Sequence, residues 1–171
     1  MYWDVLKQKK LKALFVCLAS PVVEHGEQGD YSQALMWHQK ALTINEKVLG
    51  KEHPHTVVSY VSIGDIYCKQ GDYPQTLKWL QKTLEVQEKV LGKKHSDTAT
   101  TYQNIGVIYG ILGDYPQARD SFLKACRVWF HSLGAEHPSI IMTYQGMKKA
   151  FVDNGGREDD FMPWFVERFE Q

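Results

Sequence analysis

The sequence repeats itself at a fixed spacing, and this repetition constrains the fold more than any other feature. GDYSQ begins at Gly29, and GDYPQ begins at Gly71 and again at Gly113, so successive copies start 42 residues apart. A period of this length is typical of one supersecondary unit that is stacked several times, because a single unit cannot bury its apolar face alone. The chain of 171 residues therefore has room for a short repeat array.

Two further blocks share this register. VLGKEHP, which begins at Val48, returns as VLGKKHS and then as SLGAEHP. YVSIGDIY, which begins at Tyr60, returns as YQNIGVIY and fades to YQGMKKAF. Three independent blocks in one register indicate true internal repeats.

The first half of each unit has the periodicity of a helix. In the second unit, Tyr60, Ile63, Gly64 and Tyr67 form one helical stripe, which predicts a helix from about Thr56 to Gln70. The small glycine in this stripe is expected to let a neighbouring helix come close.

The GDYPQ block predicts a stop and a restart. Gly71 is suited to a left-handed helix end, and Asp72 is suited to cap the next helix. Pro74 falls in the first turn of that helix, where its missing N–H is harmless. The second helix is predicted from about Tyr73 to Leu91, and the glycine of each LGKEHP block is its expected end.

These motifs resemble the tetratricopeptide repeat, on the residues Tyr60, Ile63, Gly64, Tyr67 and Thr76 and the leucine four positions later. The ordinary motif has a period of about 34 residues, so about eight residues are extra. They fall after Thr76 and would lengthen the second helix by about 12 Å. This long-helix variant is similar to the repeats of kinesin light chains. The resemblance implies an all-α, right-handed superhelix (α-solenoid) of antiparallel helix pairs, with three to three and a half repeats and a C-terminal capping helix.

The same resemblance divides the chain. Residues 1–28 are predicted to be a degenerate helical segment, because Pro21 and His25 stand where Ile63 and Tyr67 stand one period later. The array is predicted over residues 29–153. Its units lie near 29–70, 71–112 and 113–153, and a capping helix follows over 154–171, where Phe161, Trp164, Phe165 and Phe169 would pack back onto the array.

Composition bears on the possible partners. Basic and acidic residues each number 20, so a net charge of zero offers no general attraction to nucleic acid or to an anionic membrane. The chain nevertheless starts basic and ends acidic. This asymmetry fits two solvated helix faces, or a head-to-tail contact between copies in which four lysines meet six acids: Lys7, Lys9, Lys10, Lys12, Asp153, Glu158, Asp159, Asp160, Glu167 and Glu170.

The N-terminal stretch leaves two localisations open. Residues 7–23, KQKKLKALFVCLASPVV, resemble a secretory signal, and the alternative is an amphipathic helix that flanks the repeats. Cys17, Cys68 and Cys126 are odd in number and show neither a disulfide framework nor a zinc spacing. We expect a cytoplasmic protein, with secretion as the alternative.

The sequence shows no pattern that indicates catalysis. His53, His95 and His137 recur at the repeat period, and their place in the exit loops predicts capping or turn hydrogen bonds rather than metal binding. The sequence GVIYGILG is not a phosphate-binding loop, and no cysteine stands beside a plausible base. Trp37 and Trp79 share one register and are expected to pack in the core or between repeats. We expect no enzyme, no cofactor and no metal.

The first helix of each pair lines the inner face of tetratricopeptide arrays, and the residues that its packing stripe leaves over form the expected partner-binding face. The expected ligand is a peptide or a partner helix, bound by an adaptor. A self-associating or structural segment of a longer array, and a regulator that acts through an effector domain on another chain, are the alternatives. The predicted binding residues are Val58, Val61, Asp65, Lys69, Thr100, Gln103, Asn104, Val107, Ile111, Met142, Gln145 and Lys149.

Overall fold

A computed structural model describes residues 31–134 and 137–169 of the chain. The predicted N-terminal segment 1–28 and the signal-like stretch 7–23 lie outside the described residues. So do Asp30, which the GDYSQ block would use as a cap, and Glu170, the last of the C-terminal acids.

The described residues contain only helices, turns and loops, and the predicted all-α class of consecutive helix pairs is confirmed. Three helices lie in the first half of the described chain: α1 (Tyr31–Val48), α2 (Pro54–Gln70) and α3 (Tyr73–Val90). The second half contains α4 (Ser96–Leu112), α5 (Tyr115–Leu133), α6 (Pro138–Asp153), a 3-10 turn (Glu158–Asp160) and α7 (Phe161–Phe169).

The chain divides into two compact units, with the boundary between Val86 and Gln87 inside α3. In unit 1, before this boundary, Tyr60 and Ile63 of α2 are fully buried and pack with Leu42 of α1. In unit 2, after it, the core is formed by α5, α6 and α7 through Ala118, Phe122, Leu123, Cys126, Met147, Ala150, Phe151 and Phe161.

The GDYPQ turns have the predicted geometry. Gly71 ends α2 in the left-handed conformation with φ 78°, where a residue with a Cβ would be strained. Gly113 ends α4 in the same way with φ 83°. The Asp72 carboxylate accepts a hydrogen bond from the Gln75 amide at 3.1 Å, which satisfies one of the free N–H groups at the start of α3.

The three repeated histidines are helix caps, as predicted. Nδ1 of His53, His95 and His137 accepts a hydrogen bond from the backbone amide two residues later, at 3.2, 3.1 and 3.2 Å respectively. Each histidine therefore has a local role at the start of α2, α4 or α6.

Glycine in the first helix of a pair allows close packing, as predicted. A Cβ added at Gly64 would lie 3.4 Å from the Trp79 Cβ, and one added at Gly106 would lie 2.8 Å from two ring carbons of Phe122. The prediction for Trp37 is wrong, because its side chain is 62% exposed. Trp79 packs against α2, the helix before it, whereas the segment that precedes Trp37 lies outside the described residues.

The helix α7 packs onto the end of unit 2, which confirms the predicted contact. Phe161 is fully buried, and Trp164, Phe165 and Phe169 pack half-buried against the same core. Lys148 of α6 forms an ion pair with Glu158 at 2.6 Å, which ties the 3-10 turn to α6. The division into three repeat units and a cap by residue number stays a prediction.

Candidate peptide-binding face

The predicted binding residues of unit 1 lie along α2. Val58, Val61, Asp65 and Lys69 recur at steps of three or four residues, so they share one side of the helix. Val58 is 60% exposed, Val61 and Asp65 are half-buried, and Lys69 is exposed. Asp65 interacts with other parts of the protein, so it is not simply available to a ligand.

In unit 2 the structure brings two of the predicted helices together. The Gln103 side chain of α4 donates a hydrogen bond to the Thr143 hydroxyl of α6 at 2.9 Å. Thr143 in turn donates to the Ser139 carbonyl at 2.7 Å, so its hydroxyl has a fixed orientation. We call the predicted residues of these two helices the α4–α6 face: Thr100, Gln103, Asn104, Val107, Ile111, Met142, Gln145 and Lys149.

Some residues of this face have roles within the fold. Val107 packs half-buried against the core of unit 2. The Thr100 hydroxyl donates to the Ser96 carbonyl at 3.1 Å, and Lys149 forms an ion pair with Asp153 at 2.7 Å. These three side chains therefore contribute to packing or to helix surface contacts besides any contact with a ligand.

Other residues of the face remain accessible. Met142 is 40% exposed and Gln145 is exposed, while Asn104 and Ile111 are half-buried. Sequence reasoning did not include Ile141, which is 48% exposed beside Met142. The repeat register gives no signal for this exposure, because Ala99 has the equivalent position one period earlier and is fully buried.

The perturbed ionisable groups stabilise the fold rather than form a reactive site. The Tyr60 hydroxyl donates to Glu46 at 2.6 Å, and Lys82 lies 3.1 Å from the same carboxylate. The hydrogen bond from Tyr60, aided by Lys82, lowers the pKa of Glu46, whereas burial and the bond to Glu46 raise the pKa of Tyr60. Tyr102 forms the same kind of hydrogen bond in unit 2.

A buried thiol and the metal-ligating side chains of the described residues also bear on chemistry. Burial raises the pKa of the Cys126 thiol to about 12, so this group stays protonated and is a poor nucleophile at neutral pH. Within residues 31–134 and 137–169, no group of three or more histidine, cysteine, aspartate or glutamate side chains is placed to hold a metal ion. Over the same residues, no helix is both long and apolar enough to cross a membrane.

Comparison with known proteins identifies the family. The tetratricopeptide repeat model matches residues 25–75 and 57–129, which together exceed half of the chain. The chain belongs to the tetratricopeptide repeat family. Repeats of this family generally mediate protein–protein interactions, and the fold is generally a non-catalytic scaffold.

Solved structures of other proteins share the fold. A chain from Podosopora anserina, described as a kinesin light chain with nearly identical TPR-like repeats, is 18% identical with a TM-score of 0.69. The match covers 96% of this tetratricopeptide protein and 74% of that chain. BtubC (BKLC) from P. vanneervenii is 16% identical with a TM-score of 0.70, over 99% of this chain and 73% of that one. At such identities the likeness shows the fold alone.

One curated relative matches a shorter region. The clustered mitochondria protein homolog of Homo sapiens is 40% identical over 52 residues. This match covers 30% of the tetratricopeptide protein and 4% of the human protein. The shared region is thus a small part of that relative.

Proposed function

We propose that this chain is a non-catalytic interaction module that binds a peptide or a partner helix on the α4–α6 face of unit 2. The observation that carries the proposal is the hydrogen bond between Gln103 and Thr143, which holds a carboxamide of α4 against α6, the helix that carries the exposed side chain of Met142. A carboxamide that is already oriented loses little side-chain entropy when a ligand binds.

The chemistry of the face fits a peptide. Burial of Met142 and of Ile111 under different side chains of a partner would contribute apolar area, at about 25 cal/mol per Å². Asn104 and Gln145 carry both hydrogen-bond donors and acceptors, which can pair with the N–H and C=O groups of a peptide backbone. The predicted residues of α2 would form a contact region in unit 1.

The test uses variants whose side chains are accessible in the free protein. Met142→Glu places a charge on the α4–α6 face, and Leu112→Glu is the matched control, because Leu112 is 45% exposed in the same unit. A variant of Val107 is unsuitable, since that side chain packs against the core. Both variants are first shown to keep the wild-type melting temperature.

Partners captured from native lysate by the wild type are identified by mass spectrometry, and the segment responsible is synthesised as a peptide. Its affinity is then measured for all three chains. We expect Met142→Glu to weaken binding about 5- to 30-fold, since the loss of one apolar contact costs about 1–2 kcal/mol. Leu112→Glu should leave the affinity unchanged. Equal affinity for all three chains would place the binding site elsewhere.

Self-association is the alternative function. The C-terminal acids that a head-to-tail contact would use are partly engaged, because Glu158 pairs with Lys148 and Asp160 pairs with Arg157. Sedimentation at low and high salt tests this alternative. A mass that rises with protein concentration and falls with salt would favour it over the adaptor.

A further inference from the structure

An apolar stripe runs along one side of α1 in unit 1, and the other described helices leave it exposed. Its residues follow one another at alternating steps of three and four, so they share one side of the helix. Trp37 is 62%, Ile44 61% and Val48 71% exposed. A continuous exposed apolar row of this kind indicates a surface that another segment covers. We call these residues the α1 stripe: Ala34, Trp37, Ala41, Ile44 and Val48.

The stripe of the same register on α3 is covered by α2, the helix that precedes it. Trp79 stands one period after Trp37 and packs half-buried against the core cluster of unit 1. Val86 does the same one period after Ile44. The rings of Trp79 and Tyr60 of α2 have centroids 6.0 Å apart. The register that α1 leaves exposed is therefore a packing surface on α3.

A small residue of the stripe shows the same contrast in both units. Ala41 is exposed, whereas Thr83, one period later, is fully buried. Ala125 of α5, two periods after Ala41, is fully buried as well. This position is thus covered on α3 and on α5, and among the described second helices of the pairs it is open on α1 alone.

We propose that residues 12–28 of this same chain cover the α1 stripe, as α2 covers the matching stripe of α3. The segment precedes α2 by one period, and the GDYSQ block that joins it to α1 is the counterpart of the turn between α2 and α3. Residues 29–30 alone separate the segment from α1. So short a tether gives the segment a high effective concentration at the stripe, an advantage that a separate partner protein lacks.

The segment has apolar residues where the contact requires them. Leu18 stands one period before Tyr60, and Val22 stands one period before Gly64. A Cβ added at Gly64 would lie 3.4 Å from the Trp79 Cβ, so this position of the first helix faces the tryptophan of the second. The valine would meet Trp37 in the same way.

The proposed contact differs from those within the array in strength and in consequence. Pro21 stands where Ile63 stands one period later, and a proline inside a helix removes a backbone hydrogen bond. We therefore expect the segment to leave the stripe more readily than α2 leaves α3. Removal of residues 7–23 as a secretory signal would bare the stripe, so the proposal favours their retention. It does not rest on the peptide-binding face of unit 2.

Thiol labelling of the full chain tests the proposal. Ala41→Cys places a thiol in the stripe, and Gln39→Cys is the matched control, because Gln39 is exposed and lies two positions away, on the opposite side of α1. Both are made with Cys17→Ser, and the remaining Cys68 and Cys126 are buried. Each labelling rate is divided by its value in urea. We expect the thiol introduced by Ala41→Cys to react about tenfold more slowly than that of Gln39→Cys, and equal rates would overturn the proposal.

Two substitutions within the segment test the register. Leu18→Asp places a charge where α2 has the buried Tyr60, so it should abolish the protection. Val16→Asp is its matched control, because Val58, one period later, is 60% exposed. It should leave the protection intact. Equal effects of the two substitutions would show that the segment does not cover α1 as α2 covers α3.

Dilution identifies the origin of the covering segment. A contact within one chain is independent of protein concentration, whereas a contact between copies follows mass action. Protection of the thiol introduced by Ala41→Cys should therefore persist after about a hundredfold dilution. Protection that is lost on dilution would assign the cover to a second copy and overturn the proposal.

Hydroxyl-radical footprinting of the unmodified full chain is a second measurement that needs no variant. Oxidation of Trp37 and Trp79 is quantified by mass spectrometry in the same sample. We expect similar rates, since a covered Trp37 would be about as accessible as the half-buried Trp79. Much faster oxidation of Trp37 would show that the stripe is bare in the full chain and would overturn the proposal.

Discussion

Replacement of Gly106 by alanine should destabilise unit 2, whereas the same change at Gly64 should stabilise unit 1. A Cβ at Gly106 would lie 2.8 Å from Cδ1 and Cε1 of Phe122 and 3.1 Å from the Ala118 carbonyl oxygen. A Cβ at Gly64 would have its closest neighbour at 3.4 Å, an ordinary van der Waals contact.

The magnitude follows from two opposing effects. Alanine is favoured over glycine inside a helix by about 1 kcal/mol, and overpacking of a core costs about 1–3 kcal/mol. The Phe122 ring cannot move away freely from Gly106, because the far edge of the ring already lies close to α6. A Cβ added at Gly146 of α6 would lie 3.0 Å from Cζ of Phe122. The ring is thus enclosed by α4 and α6. The Ala118 oxygen belongs to the backbone, so it moves less readily than a side-chain atom. We expect a net loss of about 1–2 kcal/mol at Gly106 and a gain of up to about 1 kcal/mol at Gly64.

The measurement is urea unfolding followed by helical circular dichroism. Phe122→Leu supplies a second test, because Leu80 has the equivalent position one period earlier and is also buried. In the Gly106→Ala/Phe122→Leu double variant, the smaller side chain should accept the added methyl group. The double-mutant cycle should therefore show a favourable coupling of about 1 kcal/mol.

Two results would refute this reasoning. If Gly106→Ala is as stable as the wild type, the close approach of Phe122 does not constrain α4. If the cycle shows no coupling, the destabilisation arises elsewhere and the enclosed ring is not its cause. Gly64→Ala serves as the control, since a loss there would show that alanine is unfavourable in these helices for another reason.

Three further predictions follow from hydrogen bonds and burial. Tyr60→Phe should lower the free energy of unfolding by about 1 kcal/mol at neutral pH, because the hydrogen bond to Glu46 is lost. The folded-state pKa of Glu46 is lowered from 4.5, so the difference in urea midpoint between variant and wild type should shrink as the pH falls below that value. A difference that stays constant with pH would contradict this prediction. The buried Cys68 and Cys126 should react with iodoacetamide only when urea unfolds the chain, so prompt labelling seen by mass spectrometry would show that the core opens. His95→Ala should lower the free energy of unfolding by about 1 kcal/mol. His95→Asn should keep the wild-type stability, because asparagine can also accept the capping hydrogen bond. Equal melting temperatures of the wild type and His95→Ala would exclude the cap as a source of stability.

The ends of the helices were predictable because their causes are local. α2 begins at Pro54 and ends at Gln70, and α3 spans Tyr73–Val90, within two residues of the boundaries that the sequence predicts. Glycine, proline and the capping side chains act on the backbone within three residues of themselves. A repeated block of such residues therefore fixes the same turn in each unit.

Burial was less predictable because it depends on what lies next to a repeat. Trp37 and Trp79 share a register, but only Trp79 has a described helix that packs beside it. Val107 belongs by register to the expected binding face, yet it contacts the core of unit 2. A period in the sequence assigns each residue to a side of its helix, and it does not show which neighbour covers that side.

The loss of the repeat pattern in the last unit has a structural cause in α7. Tyr102 donates its hydroxyl hydrogen to Glu88 of the preceding helix. One period later Tyr144 remains, but Phe130 replaces the glutamate. The Tyr144 hydroxyl instead contacts a methionine sulfur of α7 at 2.7 Å, and the Phe130 ring meets Phe169 edge-on at 5.3 Å. The carboxylate has therefore been exchanged for an aromatic contact with α7. Phe130→Glu would not restore the tyrosine–glutamate pair, because Tyr144 is already engaged with α7, and it would lose the contact with Phe169.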